Sequence, residues 1–267
     1  GAAWATVIAQ LVSGLACLVY IKKRFDILKI TKDEWRIDSN CVGILCNMGI
    51  PMGLQYSITA IGSVILQTAV NSLGSVSVAA VAAGSKISMF FACPFDAMGS
   101  TMATYAGQNV GAGKLDRVSQ GIKSTSLLGL GYSVLACIVL VCFGGTIALL
   151  FVSPSESEII KQVSWFLAAN SAFFFPLALV NIVRFTIQGL GFSRFAILAG
   201  VCEMAARSLV AMTLVPLFGY AAICFASPAA WILADLFLVP AYLYVMKKLQ
   251  QMGNGNSPEP QPTDTPA

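Results

Sequence analysis

Residues 49–74 read GIPMGLQYSITAIGSVILQTAVNSLG, a run that contains no charged side chain. The run exceeds the roughly 20 mostly apolar residues that an α-helix needs to cross a bilayer. The chain repeats this pattern, and the sequence therefore predicts seven membrane helices, at residues 1–21, 43–71, 76–106, 121–151, 159–188, 195–217 and 222–246. The predicted fold is an all-α, polytopic membrane helix bundle.

The composition supports the same class of protein. Of the 267 residues, 57% are hydrophobic and 10% are charged, whereas ~25% of a soluble domain is charged. The chain has no histidine, and its eight cysteines lack metal-ligand spacing. These absences exclude the usual His-based zinc sites and Ser/His/Asp triads. We therefore expect no catalytic residue, no metal and no cofactor.

The lysines and arginines lie almost entirely on one predicted side of the membrane. Thirteen of the 16 are in or beside three loops and the C-terminal end on that side, namely in segments 22–40 and 107–123 and at Arg184, Arg194, Lys247 and Lys248. Because cytoplasmic loops carry an excess of Lys and Arg, this side is predicted to be cytoplasmic, together with the C-terminus. The net charge of +4 thus reflects membrane topology, and no nucleic-acid partner is predicted.

Four segments are predicted along the chain. Residue 1 begins inside an apolar run without a charged region before it, which is typical of a truncated membrane helix and not of a signal peptide. We expect the end of a membrane helix at 1–21, a basic cytoplasmic linker at 22–40, a six-helix lobe at 41–249 and a disordered, proline-rich cytoplasmic tail at 250–267.

Polar side chains at membrane depth are the candidate functional groups, since they are costly there. The helix at 43–71 carries a stripe with a period of four residues: Gln55, Thr59, Ser63, Gln67 and Asn71. The stripe lines a substrate cavity or forms hydrogen bonds between helices. Asn170 and Asn181 flank Pro176 beside three phenylalanines, a pattern that suits either a pocket for flat apolar cations or plain packing.

Five charged residues also lie within predicted helices. Lys86 and Asp96 are separated by a rotation that prevents direct pairing on one straight helix. Glu203 and Arg207 have the i, i+4 spacing of an intrahelical ion pair, for which we favour a structural role. Asp235 either joins that pair in a network, which we favour, or titrates.

Several short motifs follow one another in a specific order across the predicted helices. The run at 49–74 is followed by VSVAAVAAGSK at 76–86 and by TYAGQNVGAGKLDRV at 104–118. The later helices contribute Gly189, Leu190, Gly191, Glu203, Arg207, Ser227, Pro228, Trp231 and Asp235. With these motifs the chain resembles the MATE (multidrug and toxic compound extrusion) transporters.

The resemblance implies half of a twelve-helix, two-lobe transporter, with the N-terminal lobe as the missing partner. It further implies export of drugs and organic cations across the plasma or inner membrane, by proton- or sodium-coupled antiport with alternating access, and no enzyme activity. Some members have a carboxylate midway along the helices equivalent to 43–71 and 159–188, and this chain has none there. Coupling is therefore expected from the absent lobe, with Asp96 or Asp235 as local alternatives.

Two alternatives stay open. A flippase for lipid-linked oligosaccharides belongs to the same superfamily, but a pyrophosphate headgroup would call for more basic residues than Lys86, Arg184 and Arg207. An intramembrane enzyme would need a nucleophile and base, or metal ligands, at membrane depth.

Overall fold

The computed structural model describes residues 2–25 and 37–255, and this part of the chain is helical without any strand. The helices, in chain order, are α1 (Ala2–Arg24), α2 (Ser39–Asn71), α3 (Ser75–Gly111), α4 (Leu115–Ala148), α5 (Ser157–Ala172), α6 (Phe174–Gly189), α7 (Arg194–Leu209), α8 (Val215–Phe218) and α9 (Tyr220–Gly255). The chain divides into two compact units, Gly1–Cys46 and Asn47–Ala267, and the boundary between them lies within α2.

The first unit contains α1 and the start of α2. Large apolar side chains of α1 are exposed, as expected for a helix whose surroundings are lipid. Asp38 caps α2, because its Oδ1 accepts a hydrogen bond of 2.8 Å from the N–H of Asn40. This bond favours the charged carboxylate and lowers the pKa of Asp38. Residues 26–36 of the predicted linker lie outside the described residues.

Within the residues that the structure describes, six helices are long and apolar enough to span a membrane, and α5 and α6 add a seventh span if they form one bent helix pair. The predicted all-α bundle of about seven membrane helices is therefore confirmed. Helix ends differ from the prediction, since α4 begins at Leu115 and α9 continues to Gly255. A hydropathy pattern detects the apolar part of a helix, while its polar ends continue beyond the bilayer. Residues 256–267 of the predicted tail lie outside the part that the structure describes.

The predicted helix at 159–188 is two helices that meet at Phe173 with a bend of 51°. The cause lies in Pro176, which has no N–H to donate to the carbonyl of Ala172. The helix α5 accordingly ends at Ala172, and the N–H of Phe173 bonds the carbonyl of Asn170 at 3.0 Å. Both α5 and α6 pack against α3, α4 and α9, and α6 also contacts α7.

Helix α3 is central to the second unit and packs against α4, α5 and α6, while α9 packs against α5, α6 and α7. The closest approach is at Gly189 of α6, where an added Cβ would lie 2.2 Å from the carbonyl oxygen of Ala103. Phe95 of α3 meets Phe174 of α6 edge to face, with ring centroids 5.7 Å apart. Small and aromatic residues together pack these helices closely.

The part of α2 that belongs to the second unit contacts α6 and α7 at a few positions. Gln188 Nε2 donates a hydrogen bond of 2.7 Å to Gln55 Oε1. A Cβ added at Gly62 would lie 3.0 Å from Met204 Cα, so α2 and α7 approach closely there. Beyond α7 the chain passes through a π-helical turn at Val210–Leu214 into α8.

Candidate functional site

Three charged side chains form a buried cluster between α6 and α7. Arg184, Glu203 and Arg207 are 7%, 3% and 8% exposed. Arg184 Nη2 donates to Glu203 Oε1, and Arg207 Nη2 lies 3.2 Å from Glu203 Oε2. Both carboxylate oxygens are therefore paired, which is what a buried ion cluster requires. Arg207 Nη1 also donates to the carbonyl of Thr59 at 3.4 Å and connects the cluster to α2.

The cluster contains the intrahelical pair expected for Glu203 and Arg207, but it also contains a residue that we had assigned elsewhere. We expected Arg184 beside a cytoplasmic loop, and it is instead buried within α6. Arg184 lies near the end of the predicted helix at 159–188, and hydropathy does not show whether a side chain there faces a loop or the other helices. The polar neighbours Asn181 and Gln188 on the same helix were the available signal.

A cavity of about 470 Å³ lies beside this cluster. Its aromatic walls are Phe166, Phe174 and Trp231, and its polar and charged lining includes Thr59, Ser88, Asp96, Asn170, Asn181, Arg184, Glu203 and Arg207. The formal charges of this lining balance, with two carboxylates and two guanidiniums. Three buried lining atoms have no hydrogen-bond partner within residues 2–25 and 37–255: Thr59 Oγ1, Ser88 Oγ and Arg184 Nε.

A second cavity, of about 460 Å³, shares Asp96, Asn181 and Arg184 with the first and also contacts Gln55. Asp96 is exposed and makes no ion pair with any residue that the structure describes. Glu203 is saturated by two arginines, whereas the Asp96 carboxylate is free to accept a ligand. Asn170 is fixed in the wall, since its amide donates to the carbonyls of Phe166 at 2.9 Å and Cys224 at 3.3 Å.

The polar stripe of α2 divides into two parts. Gln55 is buried and Thr59 is half-buried, and these two contact the cavities. The other three are exposed: Ser63 donates to the carbonyl of Thr59 at 3.2 Å, and Gln67 Nε2 donates to Asn71 Oδ1 at 3.0 Å. A period of four residues advances ~40° at each step, so the stripe rotates out of the cavity.

Lys86 and Asp235 lie apart from both cavities. Lys86 borders a separate pocket of about 380 Å³ that also contacts Glu156. Asp235 borders an apolar pocket between Pro176 and Pro240, and its buried Oδ1 has no hydrogen-bond partner in the described chain. Asp235 forms no ion pair with Arg184, Glu203 or Arg207 in the described chain, although the charges of Arg184 and Glu203 act on its carboxyl group from a distance.

No metal centre is formed by the described residues, since no three Cys, Asp or Glu side chains come together at ligand distances. The sequence model of the MatE family matches residues 51–213. The chain belongs to the MatE family. MatE proteins are membrane transporters and not enzymes, in agreement with the family and class that the sequence motifs predicted.

A curated relative is the Probable multidrug resistance protein YoeA of Bacillus subtilis (strain 168), which is 26% identical over 260 residues, or 94% of this chain and 55% of YoeA. A second relative from the same organism, the Probable multidrug resistance protein YpnP, is 26% identical over 68% of this chain and 40% of its own length. This MatE chain thus spans about half the length of the curated relatives it matches.

Solved MATE structures have the same fold. The crystal structure of MATE in complex with MaL6 aligns with a TM-score of 0.85 at 15% identity, over 94% of this chain and 57% of that one.

Proposed function

We propose that this chain is the C-terminal lobe of a plasma-membrane exporter that expels drugs and organic cations by proton- or sodium-coupled antiport with alternating access. The observation that carries the proposal is the cavity of about 470 Å³ in a MatE chain, with aromatic walls and a free carboxylate. Both curated relatives carry the name of multidrug resistance proteins. In this assignment 41–249 is the lobe, 1–21 the end of the preceding helix, and 22–40 a cytoplasmic linker.

The chemistry of the cavity suits flat cationic compounds. Aromatic faces attract cations through their quadrupole, and Phe166, Phe174 and Trp231 supply such faces. Asp96 supplies a negative charge that no arginine neutralises by direct pairing. For a cation bound between these groups, contacts with the carboxylate and with the aromatic faces would replace contacts with water.

The polar side chains have different proposed roles. Thr59, Asn170 and Asn181 bind polar atoms of the substrate in the cavity, and Gln55 fixes α2 beside it. Ser63, Gln67 and Asn71 are exposed on α2 and line the space between this lobe and the N-terminal lobe. The Arg184–Glu203–Arg207 cluster is a structural clamp, because its carboxylate has no free oxygen for a coupling ion.

Coupling is proposed to depend on a carboxylate of the N-terminal lobe, with Asp96 or Asp235 as local alternatives. The balanced charge of the cavity disfavours the flippase alternative, since a pyrophosphate headgroup needs an excess of positive charge. Lys86, which would add such charge, borders a different pocket.

The test is efflux by the full-length protein that the gene encodes, reconstituted in proteoliposomes with a fluorescent organic cation. We expect export to stop when the gradient of the coupling ion is collapsed. Collapsing the proton gradient and the sodium gradient one at a time identifies that ion. Export that continues after both gradients are collapsed contradicts antiport. Labelling of a C-terminal tag in intact cells tests the orientation, and a tag that reacts from outside contradicts a cytoplasmic C-terminus.

A further inference from the structure

A separate pocket of about 340 Å³ lies where α7 begins, between the end of α6 and the last turns of α9. Ser193, Arg194 and Lys248 contact it, together with Asn47 of α2 and Tyr244 of α9. The lining contains two cations and no carboxylate. Its residues are distinct from those of the substrate cavities described above.

Both cations are available to a ligand. Arg194 Nη2 donates to Asn47 Oδ1 at 3.2 Å, which orients the guanidinium with a neutral partner. Lys248 Nζ lies 5.5 Å from the centre of the Phe192 ring. Neither side chain forms an ion pair with a carboxylate among residues 37–255. The pocket thus has two positive charges without a counter-charge in direct contact.

The third contribution comes from Ser193, which is 2% exposed and immediately precedes α7. Its hydroxyl lines the pocket and finds no hydrogen-bond partner in the described part of the chain. A buried hydroxyl without a partner is costly, and a ligand oxygen would remove that cost. The 16-residue helix α7 begins at the same place and adds the positive end of its dipole, although the N–H groups of Phe195 and Ala196 already donate to the carbonyls of Phe192 and Ser193.

We propose that this pocket binds a phosphate group, either in the headgroup of an anionic lipid or as a soluble phosphate. The proposal goes beyond the transport function and does not depend on it. A guanidinium, an ammonium and a hydroxyl donate hydrogen bonds to oxygen, and the positive end of a helix dipole favours an anion. The anionic oxygens of a phosphate group accept such bonds. The rings of Phe192, Phe195 and Tyr244 beside the cations give a lipid an apolar surface next to its headgroup.

The experiment measures lipid binding by the purified full-length protein in neutral detergent, using native mass spectrometry. The probes are phosphatidylglycerol, phosphatidylcholine and inorganic phosphate. The site variant is R194Q/K248Q, and the matched control R117Q/K247Q also removes two exposed cations, neither of which contacts the pocket. Ser193→Ala tests the buried hydroxyl, and R194K/K248R retains both charges.

We expect R194Q/K248Q to bind phosphatidylglycerol about tenfold or more weakly than the unmodified protein, because two charge-assisted bonds are lost. The control and R194K/K248R should bind as before, and Ser193→Ala should bind more weakly. If millimolar inorganic phosphate displaces phosphatidylglycerol, the ligand is soluble phosphate; if it does not, the ligand is the lipid.

The proposal is overturned if R194Q/K248Q retains full binding of phosphatidylglycerol, or if R117Q/K247Q loses as much affinity for it as R194Q/K248Q does. It is also overturned if the unmodified protein binds neither phosphatidylglycerol nor inorganic phosphate better than phosphatidylcholine. Circular dichroism checks that each variant is folded. Should R194Q/K248Q fail to fold, Ser193→Ala decides, and unchanged binding by this variant overturns the proposal.

Discussion

Gln188 of α6 donates a hydrogen bond from Nε2 to Oε1 of Gln55 of α2 at 2.7 Å, and both side chains are buried. Together with the bond from Arg207 to the carbonyl of Thr59, it connects α2 to the helices around the cavity. In an apolar environment, breaking such a bond costs free energy, because the amide left without its partner has no water to bond with. The position of α2 beside the cavity therefore depends on a side-chain amide pair.

Substitution of Gln55 by Leu tests this dependence. We expect the free energy of unfolding to fall by about 1–3 kcal/mol, because Gln188 is left buried without its acceptor. The double variant Q55L/Q188L should recover most of the loss, since both polar groups are then removed. The measurement is unfolding by SDS in mixed micelles. Gln67→Leu is the control and should change stability by less than ~0.5 kcal/mol, because Gln67 is exposed.

Substitution of Glu203 by Gln tests the buried charge cluster. Two buried guanidiniums would lose their shared counter-charge, and we expect a loss of about 3–5 kcal/mol in the free energy of unfolding. Glu158→Gln, at the exposed first turn of α5, should cost less than ~1 kcal/mol. Equal unfolding midpoints in SDS for the two variants would exclude the clamp role of Glu203.

Substitution of Gly189 by Ala tests the contact between α6 and α3. The new methyl group would collide with the backbone of Ala103, which has no side-chain freedom to yield, so we expect a loss of about 1–3 kcal/mol or more. Gly131→Ala is the matched control, because nothing lies within 4 Å of its Cβ position. That variant should be as stable or gain up to ~1 kcal/mol. A stable G189A protein would contradict the observed approach.

Substitution of Asp96 by Asn tests the proposed binding of cationic substrates. If Asp96 contacts the substrate, its loss should reduce efflux of an organic cation roughly tenfold or more at unchanged protein abundance, since a hydrogen bond to a charged group contributes ~1.5–3 kcal/mol. Asp116→Asn removes an exposed carboxylate at the start of α4 and should leave efflux unchanged. Full efflux by D96N would remove Asp96 from the proposed site.

The helices were predictable from the sequence because the bilayer fixes their length and apolar character, as the run at 49–74 illustrates. The break at Phe173 was not placed in advance, since the residues on both sides of it are equally apolar and Pro176 marks the kink only approximately. The structure locates the break, since α5 ends at Ala172 and α6 begins at Phe174.

The cavity was predictable only in part. A period of four residues indicated a polar stripe on α2, but it gave no information on which members face the other helices. In the structure, Gln55 and Thr59 face the other helices, whereas Gln67 is exposed. The pairing of Glu203 with Arg207 followed from spacing within one helix. The pairing with Arg184 depends on how α6 packs against α7, which no local pattern contains.

The contact between Gly189 and Ala103 has a mechanical consequence. No flexible side chain separates the two backbones at this contact, so the helices cannot move relative to each other by a change of rotamer. The end of α6 and the adjoining part of α3 therefore behave as one rigid body. The same α6 begins at the break of 51° beside Phe173, where the hydrogen-bond ladder is interrupted. One helix therefore has a rigid anchor at its end and a joint at its start, so that deformation of the lobe would concentrate at the joint.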